Sequence, residues 1–244
     1  MTEPKPQSPA SPMPPSMGRV AFHSVAAGLT PLIPVPFLDD YALTQVRENM
    51  VRALLKERGL PAPDKAVAEL AGSNDRTSIG GHLMGFLKGL VLLPVKKIFR
   101  KVFFVLWVKD CVDVASVSLH QGYLLSHAMD RGDLDAPGLV EGAAARKVHA
   151  AIVAACKEMD ARPINQILRR LFASSRLLMA EAARAFLNPK QTPAPRTPGQ
   201  EENAEVKSLS ERLLAALWEE RGYFTSLEAH YDKHLKAGPA ASGR

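Results

Sequence analysis

Tyr41, Leu43, Val46, Met50 and Leu54 recur mostly at steps of three and four residues, the spacing that gathers side chains on one face of a helix. Asp39 or Asp40 offers an N-cap before them, Lys56 and Arg58 stand where a last turn places its cations, and Gly59 supplies the stop. A helix is therefore predicted from 39 or 40 to 58. Prolines and glycines punctuate the rest. Pro31, Pro34 and Pro36 each remove a backbone donor and restrain the residue before, so the apolar lead-in over 28–36 is predicted to be extended. A short helix is predicted to about residue 70 after Pro61 and Pro63, then a turn over 72–76, then an apolar helix over 79–93 that Pro94 breaks. Residues 95–129 contain no proline and Gly122 alone interrupts them, which predicts one helix of about 45 to 50 Å at 1.5 Å per residue. A turn over 131–137, a helix over 138–159, a break at Arg162-Pro163 and a last helix over 164–186 complete the set. Helices on short loops make an all-α multi-helix bundle.

Two proline-rich stretches bound that bundle. The first sixteen residues hold Pro4, Pro6, Pro9, Pro12, Pro14 and Pro15, without the apolar run of a signal peptide or the Arg-rich pattern of a transit peptide. The second, 188–199, holds Pro189, Pro193, Pro195 and Pro198. The predicted layout is a disordered Pro-rich tail over 1–19, a helical domain over 20–187, a linker over 188–205, a tethered amphipathic helix over 206–236 and a disordered tail over 237–244. That last helix spaces Leu213, Leu217, Phe224, Leu227 and Tyr231 near a heptad, so it is predicted to dock on the bundle or to pair in a short coiled coil.

Composition narrows the class. With 46% hydrophobic and 23% charged residues among 244, the chain is neither wholly disordered nor fibrous, and two cysteines exclude a disulfide-stapled scaffold. Cys111 and Cys156 read as free thiols. Charge changes the picture more. The formal net charge of +6 equals the six cations of residues 80–109, namely Lys88, Lys96, Lys97, Arg100, Lys101 and Lys109, a stretch without a carboxylate and the most apolar part of the chain.

Within that stretch Gly81, Gly85 and Gly89 repeat every fourth residue, which predicts a helix face where a neighbouring backbone approaches closely. The apolar run over 79–95 contains His82 and Lys88, and the next run ends at Lys109. A span needs about 20 apolar residues, and a central Lys costs roughly 2.5 to 3.5 kcal/mol, so neither run crosses a bilayer comfortably. An interfacial helix fits better. Lys96, Lys97, Arg100 and Lys101 occupy an arc of about 140° with Val95, Ile98, Phe99, Val102 and Leu106 opposite, and Phe103, Phe104 and Trp107 add aromatic weight. The expected membrane-binding residues are Lys88, Lys96, Lys97, Arg100, Lys101, Phe103, Phe104 and Trp107, with Gly81, Gly85 and Gly89 as the helix-packing face.

Candidate chemistry is sparse. Asp113, Ser116, His120 and His127 fall within about 60° of one another on the long helix, with Lys109 in the same sector. Such a lane can be a proton relay, a metal site or a hydrogen-bonded network; His120 and His127 are about 10 Å apart along the axis, too far for one ion, so a structural or exposed lane is predicted. His230 and His234 are spaced for one divalent metal, but no HExxH glutamate or third ligand accompanies them, and a solvated face is predicted. No phosphate-binding loop, dinucleotide fingerprint or nucleophile elbow occurs, so no catalytic residue, cofactor or metal is expected. Arg146, Lys147, Arg169, Arg170, Arg176 and Arg184 form a second basic area, yet no recognition motif for nucleic acid accompanies it.

The segment 26–50, a small-residue and proline-rich lead-in, then Asp39, then a helix with Gln45 and Met50, resembles the opening of bacterial helical domains of unknown function of the YcjF and EcsC kinds. In place of their Pro-Gly-Ala-Asp turn this chain has Pro36-Phe-Leu-Asp39. The resemblance implies association with a membrane and brings no catalytic residue.

The expectation from sequence is a non-enzymatic, cytoplasmic helical protein held at the inner face of an anionic membrane through residues 80–108. The alternative is a soluble adaptor or scaffold that binds protein partners through the Gly81, Gly85 and Gly89 face and the C-terminal helix. An enzyme or a nucleic-acid binder is less favoured.

Overall fold

A computed structural model of the protein describes residues 14–33, 38–73, 96–175 and 204–237, with the backbone alone for 96–105. Among these residues every regular element is a helix or a 3-10 turn and no strand occurs, so the chain is all-α as predicted.

The chain turns helical earlier than its prolines suggest. Helix α1 (Met17–Gly28) starts inside the expected tail, with Met17 N–H donating to the Pro14 carbonyl at 2.9 Å. Its Val20, Ala21, Ser24, Val25 and Ala27 are all buried. An isolated helix of this length is marginal in water even when rich in alanine, so packing holds it in place. The lead-in is not extended throughout: Thr30–Leu32 forms a 3-10 turn, and Thr30 Oγ1 donates to the Ala27 carbonyl at 2.8 Å.

Helix α2 (Leu38–Glu57) matches its prediction and buries Val46, Met50, Val51, Leu54 and Leu55. Gly59, at φ +65°, lets Leu60 N–H reach back to the Leu55 carbonyl at 3.0 Å, which closes the helix end. Helix α3 (Asp64–Leu70) follows. Helix α4 (Lys96–Arg131), 36 residues and about 54 Å long, is the axis of the molecule. Gly132, at φ +77°, ends it in the same way, with Asp133 N–H on the Ala128 carbonyl at 2.9 Å.

Three helix predictions need correction. The segment 138–159 is two helices, α5 (Ala136–Glu141), capped by Asp135 Oδ1 on Gly138 N–H at 3.1 Å, and α6 (Ala143–Glu158), separated at Gly142. Helix α7 (Arg162–Ser174) breaks at Ser175, and the remainder of the segment predicted to 186 lies outside the described residues. The C-terminal segment is α8 (Ala204–Leu217), a 3-10 turn over Trp218–Glu220, and α9 (Arg221–Ala237), not one rod.

That segment is docked. Val206, Leu209, Leu213, Leu217, Phe224, Leu227, Tyr231 and Leu235 belong to the same apolar core as Val20, Met50, Leu54, Leu119, Ile152 and Phe172. Helix α8 packs on α1 and α7, α9 lies along α6 and reaches α4, and α3 packs on α6. Burial of a Leu or Phe side chain contributes about 1.5 to 3 kcal/mol, so the C-terminal helices are part of the fold rather than an appendage.

Two glycines set the spacing of α1, α2 and α4. A Cβ on Gly28 would lie 2.6 Å from Phe172 Cζ and 2.7 Å from Ala115 Cβ; one on Gly122 would lie 2.8 Å from Met50 Sδ and 2.9 Å from Val20 Cγ1. Gly122 does not interrupt the long helix. It is a notch in which α1 and α2 lie against α4.

Candidate functional site

Helix α4 carries the membrane-binding and polar-lane candidates that fall within the described residues. Over its middle, Trp107, Val108, Cys111, Val112, Ala115 and Leu119 are buried, while Lys109 and Val117 are exposed and Asp113 is half-exposed. At about 100° per residue, Lys109, Asp113 and Val117 share the solvent-facing side of this stretch, and Trp107, Cys111, Ala115 and Leu119 share the core side.

Trp107 is a correction. Expected among the membrane-binding residues, it is 5% exposed and its indole N–H donates to the Pro31 carbonyl at 3.0 Å, which ties α4 to the 3-10 turn. Lys88 and Gly81, Gly85 and Gly89 lie outside the described residues, as do the side chains of Lys96, Lys97, Arg100, Lys101, Phe103 and Phe104.

The polar lane is divided. Asp113 accepts from Lys109 Nζ at 2.5 Å on the open surface. Further along, every position from 118 to 129 except His127 is buried, because α9 covers this side. His120 Nδ1 stands 2.5 Å from the Ser116 carbonyl, which can only accept, so Nδ1 carries the proton and Nε2 accepts from the Tyr223 hydroxyl at 2.5 Å. Burial holds His120 below the ordinary histidine range and favours this neutral form. One turn on, the Tyr123 hydroxyl donates to Glu228 at 2.6 Å and its ring packs on Phe224, 4.4 Å between centroids. His127 faces Asp232 at 3.2 Å and Glu228 at 3.5 Å, Arg131 reaches Asp232 at 2.6 Å, and Tyr231 donates to Asp133 at 3.1 Å. Ser116, His120 and His127 therefore join one seam with α9. Asp113 stays outside it, so the structure does not assemble an Asp113–His120 pair for acid–base chemistry.

Tyr223, Glu228 and Asp232 were not foreseen as partners. They lie between the heptad-spaced apolar residues of α9, and their steps of five and four answer the steps of seven and four from His120 through His127 to Arg131.

His230 and His234 stay partly open to solvent and converge on Glu158 at the end of α6: His230 Nδ1 lies 2.9 Å from Oε2, His234 Nε2 3.0 Å from Oε1 and Lys233 Nζ 3.1 Å from Oε2. Hydrogen bonds from Lys233 and His230 hold this carboxyl down to about 2. The two imidazoles take opposite oxygens of one carboxylate, and among the described residues no group of three His, Cys, Asp or Glu could hold a metal ion. Burial pushes the Cys111 and Cys156 thiols up to about 12, so both are protonated at neutral pH and neither is an activated nucleophile.

On α7, Ile164, Leu168, Leu171 and Phe172 are buried, and Arg169 and Arg170 are exposed on the other side. Arg146 and Lys147 are exposed on α6, whereas Arg176 and Arg184 lie outside the described residues. Among the described residues no helix is long and apolar enough to cross a membrane. No protein-family model, curated protein or solved structure matches the chain.

Proposed function

We propose that this is a non-enzymatic protein that associates peripherally with an anionic membrane surface, at the cytoplasmic inner leaflet, through the segment 80–108. The observation that carries the reading is the coincidence of the whole surplus of positive charge with the most apolar stretch of the chain, 80–109. At the turn angle of a helix the residue order sets Lys96, Lys97, Arg100 and Lys101 opposite Ile98, Phe99, Val102 and Leu106. An apolar stripe with four cations opposite it suits the boundary between headgroups and acyl chains. Its basic and apolar parts would act together, because neither alone binds a bilayer firmly. The resemblance of residues 26–50 to membrane-associated families points the same way. The adaptor reading has less to draw on, since the apolar residues of α8 and α9 are spent inside the bundle.

Vesicle sedimentation with the full chain tests this. The wild-type protein is expected to bind vesicles of phosphatidylcholine mixed with phosphatidylglycerol and to be released by salt, while binding phosphatidylcholine alone far less. The variant Lys96→Gln/Lys97→Gln/Arg100→Gln/Lys101→Gln is expected to lose most of that binding with an unchanged melting temperature. Equal binding to both vesicles, or to neither, overturns the reading.

A further inference from the structure

The packing of α7 adds a second cationic area beside the outward face of α4. Phe172 of α7 meets Cys111 and Ala115 of α4 around Gly28, which sets the last turns of α7 alongside residues 109–115 of the long helix. Arg169, three residues before Phe172, lies close enough to Lys109 for the two charges to oppose each other. Arg170 is exposed on the next position. Among the described residues neither arginine has an ion-pair or hydrogen-bond partner, whereas Arg162 on the same helix is held by Asp160. The local carboxylates are Asp113, engaged by Lys109, and Asp110, which burial pushes toward its neutral form. The surface thus keeps a positive surplus with Leu106 and the exposed Val117 at its edge.

We infer that Arg169 and Arg170 form a headgroup-binding site for anionic lipid, seating the bundle on the same bilayer that the first part of α4 enters; the inference rests on the membrane reading above. Arginine suits the task because its planar fork pairs with two phosphate oxygens at once. Arg169, near Lys109, and the exposed Arg170 beside it in sequence, neither with an ion-pair carboxylate among the described residues, are complementary to a phosphate surface. A lipid surface fits better than nucleic acid, because Leu106 and the exposed Val117 lie on the same side of α4 as Lys109, and a phosphodiester backbone has no use for them.

The experiment uses the full chain, with vesicles of phosphatidylcholine alone and mixed with phosphatidylglycerol, and a duplex DNA of random sequence. Arg169→Gln/Arg170→Gln is expected to weaken binding to the anionic vesicles by about 5-fold per arginine, on the order of the contribution of one cation near such a surface. Both side chains are exposed, so the melting temperature is expected to be unchanged, and Arg169→Lys/Arg170→Lys is expected to recover most of the affinity. If the wild-type chain binds anionic vesicles and the glutamine variant binds them equally well, this inference fails while the membrane reading stands. If the wild-type chain binds no vesicles, both fail. If the substitutions weaken only DNA binding, the arginines serve a nucleic acid and the inference is overturned.

Discussion

Two stretches of α4 meet the rest of the molecule differently: over 106–117 one side of the helix is open to solvent, whereas over 118–129 every position but His127 is buried. Helices α1, α2 and α7 lie against its inner side, and α9 closes its outer side only from His120 onward. Before that point Lys109 and Val117 stay exposed and Asp113 half-exposed. A helix of uniform amphipathicity would have one job, packing against one neighbour. The edge of α9 thus separates a structural stretch, whose outward His120, Tyr123 and His127 are matched from α9, from one whose outer side stays open. Buried polar side chains of the covered stretch are partnered, as His120 is by Tyr223, Ser118 by Arg47 and Gln121 by the Leu70 carbonyl.

The comparison breaks most severely if α9 is loosened. Phe224 is 2% exposed and packs on Tyr123, so Phe224→Ala is expected to cost about 3 to 5 kcal/mol in denaturant unfolding, with the largest gain in amide exchange along α9. A loss under about 1 kcal/mol would mean that α9 is not the cover described.

Acid distinguishes the halves next. His23 on α1, part of the cover of α4, is lowered to about 4 by burial and then by Arg19. Above pH 6.5 it is neutral in both folded and unfolded chains. Below that the unfolded chain takes the proton first, so stability is lost as pH falls from about 6.5 to about 4, by up to about 3 kcal/mol. Burial displaces His120 in the same direction, which adds to the loss. Melting temperatures measured across this window should fall for the wild type and fall less for His23→Gln; an equal slope in both would remove His23 from the account.

The smallest effect sharpens the seam itself. Tyr223→Phe keeps the ring and removes the hydroxyl that His120 Nε2 accepts from, which leaves a buried acceptor unsatisfied. The expected cost is about 1 to 3 kcal/mol. A cycle with His120→Phe separates the hydrogen bond from the ring contact, which has 5.6 Å between centroids.

Much of the fold was legible because punctuation is local. Gly59 ends α2 where its spacing said it would, and the absence of proline over 95–129 announced the long helix, because φ restraints and missing donors act within a few residues. What was misread depended on distance. Helix α1 was hidden under six nearby prolines and short side chains, since only its packing between α4 and α8 makes it worthwhile. Trp107 looked like a lipid anchor because Pro31, the partner that makes it a core residue, lies 76 positions away.

The site divided in the same manner. The concentration of all the surplus charge in residues 80–109, and the arrangement of those cations opposite an apolar stripe, follow from residue order alone, because a helix has a fixed turn angle. Which side of that helix would meet the core does not follow. The stretch after Leu106 is apolar on nearly every face, so its period does not choose a direction; Gly28, Gly122 and the docking of α9 choose it. Only the tertiary structure could therefore seat Trp107 against Pro31 and match His120 and His127 with residues more than a hundred positions away. Local geometry travels with the sequence, whereas the orientation of a helix is decided by the neighbours that bury it.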